Sequence, residues 1–266
     1  MIQGAVLGSP ISHSLSPRLH MAVYEFLGIS GKYRAIDVSD EALPDFFAEN
    51  CEYFNYFSLT MPLKEVACTL PVFKSDLPIR INSANTLVKR DNEWSLHTTD
   101  GSGFTSAIDH AGLTTLESTL ILGAGGTARA IAQALDGRSQ RIEVLARSSN
   151  RRSSIESTID SSVFDFHSWN QTIDLTSYDL IVNTTPAGAA DLLAESVPFN
   201  PKALFFDVIY SPWPTVLARK WSDSGGDVVN GLELLIYQAI DQLSLVLDET
   251  LHKEDLAKHL RKALKA

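Results

Sequence analysis

Residues 118–135, STLILGAGGTARAIAQAL, place a strand, a glycine turn and a helix in direct succession. Thr119, Leu120, Ile121 and Leu122 form a short apolar run with the length and branching of a buried parallel strand. Gly123, Ala124, Gly125, Gly126, Thr127 and Ala128 follow, and then an alanine-rich stretch that favours helix. Each position has a physical job. Gly123 permits the tight turn, Gly125 lets the backbone approach a pyrophosphate, and Ala128 keeps helix and strand close. The helix N-terminus adds amide hydrogens and the positive end of its dipole for phosphate oxygens. A glycine-rich turn that binds nothing is the plainer explanation; the strand before it and the helix after it argue for a dinucleotide.

The following strand, at 142–146, indicates which dinucleotide. An NAD site carries Asp or Glu near its end, roughly twenty residues past the glycines, to hold the ribose 2′-hydroxyl. This chain has Arg147 there, then Ser148, Ser149, Asn150, Arg151 and Arg152. Guanidinium groups and hydroxyls suit a 2′-phosphate that a carboxylate would repel. NADP is therefore preferred over NAD, with a solvated basic loop as the plainer alternative.

At 266 residues the chain can hold two modest domains. Its net charge of −10 argues against a nucleic-acid surface, which needs a basic patch. Cys51 and Cys68 stand in no metal or redox spacing, as expected for a reducing cytoplasm. The histidines form no ligand cluster, so no metal is expected. The N-terminus carries no basic segment leading into a long apolar core, and no run approaches membrane-spanning length, so a soluble, cytoplasmic protein is expected without membrane partners.

Strand and helix signals alternate through the first hundred residues: strands at 5–7, 33–38 and 56–59, helices at 17–27 and from about 40 to 47, and another helix beginning at Met61. Pro71 and Pro78 should break the next segment, and 86–88 with 94–96 read as a hairpin around Arg90, Asp91 and Asn92. A connecting helix at 101–111 leads to the nucleotide domain, which continues with strands at 180–183, 203–208 and 227–229 and a helix at 214–222. A helix from Gly231 to about Leu247 and a last one at 253–265 should return to cover the first domain. The expected class is α/β: a substrate domain of 1–100 and 239–266, and a Rossmann-like domain of 101–238.

Five segments carry polar residues that a fold alone does not demand. In Gly8 to Pro17, Ser16 before Pro17 reads as a helix cap, while Ser14 remains unexplained; paired hydroxyls at a helix start suit a carboxylate. His13 and His20 read as structural. In Phe57 to Lys64, Thr60 can cap the helix that Pro62 starts, which places Lys64 in a first turn where the dipole would favour an acid. Asn85 and Asp100 lie at strand ends, where turn or helix capping is their plainer role. Gln238 is polar in an otherwise apolar helical run.

Together with the glycine turn, these segments resemble the shikimate dehydrogenase family. The motifs are G-S-P-I-S-H-S-L-S-P, L-T-M-P-L-K, S-A-N-T-L, T-T-D-G, G-A-G-G-T-A, A-R-S-S-N-R, D-V-I-Y-S-P-W-P-T and G-L-E-L-L-I-Y-Q-A, all in family order. The resemblance implies NADP-dependent interconversion of shikimate and 3-dehydroshikimate in aromatic amino-acid (chorismate) biosynthesis. It assigns Lys64 and Asp100 as the catalytic pair, Ser14 and Ser16 to the substrate carboxylate, and Thr60, Asn85, Tyr210 and Gln238 to the ring hydroxyls. Gly123, Ala124, Gly125, Gly126, Thr127, Ala128, Arg147, Ser148 and Arg151 would take the cofactor, with Val208 and Gly231 near the nicotinamide. Three departures stand out: Ser58-Leu59-Thr60 replaces the usual N-V-T, Asn82-Ser83-Ala84-Asn85-Thr86 replaces G-A-V-N-T, and Thr98 replaces the Asn of N-T-D. Alternatives are a quinate/shikimate or aminoshikimate dehydrogenase on the same fold, or a non-catalytic NADP-binding sensor. A homodimer is compatible with this reading, and no feature of the chain demands one.

Overall fold

The computed structural model describes residues 1–265, with side chains to Leu264. The chain forms two compact units, Met1–Gly103 with Leu235–Ala266, and Phe104–Leu234. The first unit contains β1 (Ile2–Gly8), α1 (Ser16–Leu27), β2 (Gly31–Asp37), α2 (Leu43–Asn50), β3 (Tyr56–Leu59), α3 (Leu63–Val66), β4 (Phe73–Lys74), α4 (Asp76–Ile81), β5 (Thr86–Arg90) and β6 (Glu93–His97). The chain leaves it within α5 (Asp100–His110). The second unit continues with β7 (Leu116–Leu122), α6 (Gly126–Leu135), β8 (Ser139–Ala146), α7 (Arg152–Glu156), β9 (Val163–Ser168), β10 (Leu180–Asn183), β11 (Leu204–Asp207), α8 (Val216–Asp223) and β12 (Val228–Val229). It returns to the first within α9 (Gly231–Leu247), which α10 (Lys253–Lys265) follows.

The first unit's sheet has the order β2-β1-β3-β5-β6-β4. Strands β1 to β3 run parallel, and β5 opposes both β3 and β6. The β5–β6 hairpin turns on Asp91 and Asn92, both at positive φ, the backbone that a two-residue type I′ turn demands and that these residue types tolerate. Phe57 stacks on Trp94 at 5.3 Å and anchors an apolar layer with Leu43, Phe47, Leu63 and Leu87. Helix α10 packs on α1.

The second unit's sheet, β12-β11-β10-β7-β8-β9, is parallel throughout. Its order reverses between β7 and β10, the switch point where doubly wound sheets bind ligands beyond the carboxyl ends of their strands. Leu120, Leu122, Ile181, Phe205 and Trp221 fill its core.

Several local expectations fail for identifiable reasons. Pro78 does not break a segment: it sits in the first turn of α4, where a missing N–H costs nothing. Helix α2 begins after Ala42, while the Ser39 hydroxyl accepts the Ala42 N–H ahead of it. Strands β4 and β9 lie at sheet edges with partly exposed side chains and carry no apolar run to reveal them. Among the described residues no helix is long and apolar enough to cross a membrane.

Candidate active site and nucleotide turn

Helix α3 is a single turn that tightens at once into a 3₁₀ segment, so the macrodipole expected to act on Lys64 has almost no length. Pro62 precedes it, and Thr60 makes no side-chain cap; its carbonyl instead accepts the Leu63 N–H. What holds Lys64 is tertiary. Its carbonyl accepts the Ala84 N–H at 2.9 Å, which pins α3 beside the segment entering β5. Its Nζ lies 2.5 Å from Asp100 Oδ2. The Asp100 side chain is 6% exposed and that of Lys64 19%. Asp100 opens α5, where a carboxylate also complements the helix dipole.

Asn85 completes this cluster. Its Nδ2 shares its two protons among Asp100 Oδ1 (2.9 Å), Thr99 Oγ1 (2.9 Å) and Gln238 Oε1 (3.1 Å), and its Oδ1 accepts the Thr99 N–H (2.7 Å). Gln238 Nε2 donates to the Leu235 carbonyl. Lys64, Asn85, Asp100 and Gln238 thus form one hydrogen-bonded group inside the first unit. An ammonium held by an oriented carboxylate can donate a proton to a developing oxyanion and recover it in reverse.

The serine loop differs from its sequence reading. Ser16 is the first residue of α1, not its cap, and Leu15 in the cap position offers no side-chain oxygen. The Ser14 hydroxyl accepts the Ser16 N–H at 3.3 Å and so takes over the capping duty. That bond uses a lone pair and leaves the Ser14 proton free for an anion. The loop's entry is tied down by Asp37, a residue the sequence reading passed over: it accepts from the Ser9 hydroxyl (2.8 Å) and the Ile11 N–H (3.3 Å).

In the second unit Gly123 has φ +103, and a Cβ there would lie 2.6 Å from Thr184 Oγ1. Gly125 forms the N-cap of α6 in extended conformation, with open space around the place of a Cβ. The first amides of α6 therefore border a cleared surface, which is the room a phosphate needs. Ala128 is fully buried against the sheet. Arg147, Ser148 and Arg151 are exposed just past the end of β8, whereas Arg152 reaches Glu156. These residues fit a dinucleotide bearing a 2′-phosphate.

Val208 and Gly231 are neighbours, since a Cβ on Gly231 would fall 2.0 Å from the Val208 carbonyl oxygen. Tyr210 is half-buried on the loop beyond β11. That loop is clamped by buried Asp207, which accepts from Asn183 Nδ2, the Ile209 N–H and the Thr215 hydroxyl. Burial pushes the Asp207 carboxyl upward, and the three donors offset this in part. No cluster of three metal-ligating side chains occurs among the described residues.

Comparison with known proteins gives this geometry a relationship. Residues 6–87 match the family described as shikimate dehydrogenase substrate binding domain. The curated shikimate dehydrogenase (NADP(+)) of Rhizobium meliloti is 33% identical, covering 96% of this chain and 95% of its own. Among solved structures, a shikimate 5-dehydrogenase from Mycobacterium fortuitum is 33% identical, with a TM-score of 0.81 over 98% of this chain and 97% of that one. The shikimate 5-dehydrogenase of Thermus thermophilus in complex with NADP(H) and shikimate is 30% identical, with a TM-score of 0.84 over 99% and 100%. Agreement in sequence and structure over nearly the whole length of each chain exceeds a shared fold: the chain belongs to the shikimate dehydrogenase family.

Proposed function

We propose that the protein is an NADP-dependent oxidoreductase that interconverts 3-dehydroshikimate and shikimate, with the first unit holding the substrate and the second the cofactor. The observation that carries this reading is the Lys64–Asp100–Asn85 cluster, a proton-handling group with its members already oriented. NADP, when bound, supplies the redox chemistry by exchanging a hydride with the ring carbon. The chain manages the oxygen. Lys64 gives a proton to the carbonyl oxygen in reduction and takes it back in oxidation, while Asp100 keeps the ammonium in place. Ser14 and Ser16 hold the substrate carboxylate, and Thr60, Asn85 and Gln238, joined by Tyr210 from the second unit, hold the ring hydroxyls. Gly123 through Ala128 cradle the pyrophosphate, Arg147, Ser148 and Arg151 take the 2′-phosphate, and Val208 and Gly231 border the nicotinamide.

The test is a panel of shikimate, quinate and aminoshikimate, each with NADP and with NAD, followed by absorbance of the reduced nicotinamide. Shikimate with NADP should turn over fastest. Tight NADP binding without turnover of any of the three would make the protein a sensor. In the same panel Arg147→Asp should weaken NADP binding about tenfold, the scale of one charge-assisted hydrogen bond, and leave NAD almost unaffected. Equal losses for both cofactors would remove Arg147 from 2′-phosphate recognition.

A further inference from the structure

One helical turn beyond Gln238, in the same apolar stretch of α9, Gln242 is fully buried at 0% exposure. A buried amide is costly unless its donors and acceptor are paired, and both bonds made by the NH₂ of this one lead toward the cluster. Its Oε1 accepts from the Ser58 hydroxyl at 2.8 Å, and Ser58 in turn accepts from Tyr33. Its Nε2 donates to the Asn85 carbonyl at 3.0 Å and to Thr86 Oγ1 at 2.9 Å. Having accepted that bond, the Thr86 hydroxyl gives its one proton to Asn85 Oδ1 at 3.0 Å.

The direction of each bond is fixed by groups that have no choice. The Asn85 carbonyl can only accept, so Gln242 must present its NH₂ there. The Thr99 N–H can only donate, so Asn85 must present Oδ1 to it and Nδ2 to Asp100. We propose that Gln242 is a positioning residue of the reaction: through Thr86 it secures the Asn85 amide in the orientation that the Thr99 N–H selects, and that amide holds Asp100 toward Lys64. The inference rests on the Lys64–Asp100 roles proposed above. Without Gln242, the Thr86 hydroxyl is free to turn to another acceptor, and Asn85 loses one of the bonds that align it. Small errors in such alignment lower the rate of the chemical step.

The experiment compares the full-length protein with Gln242→Met, Thr86→Val and the double variant. Each single change should lower kcat for shikimate about tenfold, with a smaller change in KM and an unchanged NADP dissociation constant. The double variant should be no slower than the worse single variant, because both cut one chain of bonds. Thr86→Val removes a hydroxyl at nearly constant shape, so it tests the same link should Gln242→Met fail to fold. The ¹⁵N–¹H signal of the Asn85 side-chain amide should move in either variant. Additive kcat losses, unchanged kcat in an enzyme active on shikimate, or an unmoved Asn85 amide signal would each overturn the inference. Wild-type protein inactive on shikimate counts against the proposed function instead, and the amide signal then decides this inference alone.

Discussion

A Lys64→Met protein is expected to fold and to lose roughly 10²–10⁴ in turnover, the range attributed to general acid–base catalysis. The methionine keeps an unbranched stem and removes the ammonium, so Nζ is no longer 2.5 Å from Asp100. Asp100 retains the Asn85 Nδ2 donor at 2.9 Å, which limits the stability lost when its ion-pair partner disappears. That loss should still be measurable, because an almost buried carboxylate without its countercharge is unfavourable. Cofactor affinity should stay near wild type, since the residues proposed to bind the nucleotide lie in the other unit. Lys64→Arg provides the control: it keeps a cation beside Asp100 and therefore the stability, but the guanidinium does not readily give up a proton. Turnover should remain low in Lys64→Arg while the melting temperature recovers. Near-normal kcat in folded Lys64→Met would remove Lys64 from the chemistry.

Lys64 sits in a setting that its place in the sequence does not disclose. The sequence suggested a cation misplaced at a helix N-terminus; the structure shows a helix too short for that argument and an ion pair 36 residues apart in sequence. Spacing along one segment cannot disclose such a partner; resemblance to a family supplied it. The parallel sheet and glycine turn of the second unit were legible because buried strands read as apolar runs and φ +103 at Gly123 selects glycine. Edge strand β9 was not, because half-exposed strands carry little hydrophobic signal. Ser14 and Ser16 exchanged capping roles because helix boundaries depend on tertiary packing to within a residue or two. The holding roles of Asp37, Asp207 and Gln242 were not legible in the sequence for a common reason. Each acts by holding another functional segment, and only folding brings those segments together. Gln242 had one visible signal, a second amide four residues after Gln238 in an apolar helix.

The wild-type protein is expected to lose about 2 kcal/mol more stability than His20→Phe when the pH falls from 7 to 5. His20 is fully buried, and burial lowers its pKa from 6.5 to about 3, with Gln242 offsetting this in small part. Its Nδ1 meets the Tyr56 hydroxyl at 2.7 Å. Because the folded pKa lies below the unfolded one, only the unfolded chain takes up this proton between about pH 6.5 and pH 3. Stability then falls as the solution is acidified, at up to about 1.4 kcal/mol per pH unit, and the loss levels off below the folded pKa. Tyr33 and Tyr56 beside it are pushed upward by burial and stay neutral throughout, as does Tyr24, raised to about 12. Phenylalanine is the suitable replacement because the His20 ring lies flat on Tyr33, with centroids 4.0 Å apart and planes 3° from parallel. Tyr56 would keep its bond to Tyr24. Urea unfolding of both proteins at pH 7 and pH 5 isolates His20 from the carboxylates, which contribute alike to each. Equal pH dependence in the two proteins, or an NMR titration showing folded His20 protonated near pH 6, would show that burial does not control this group.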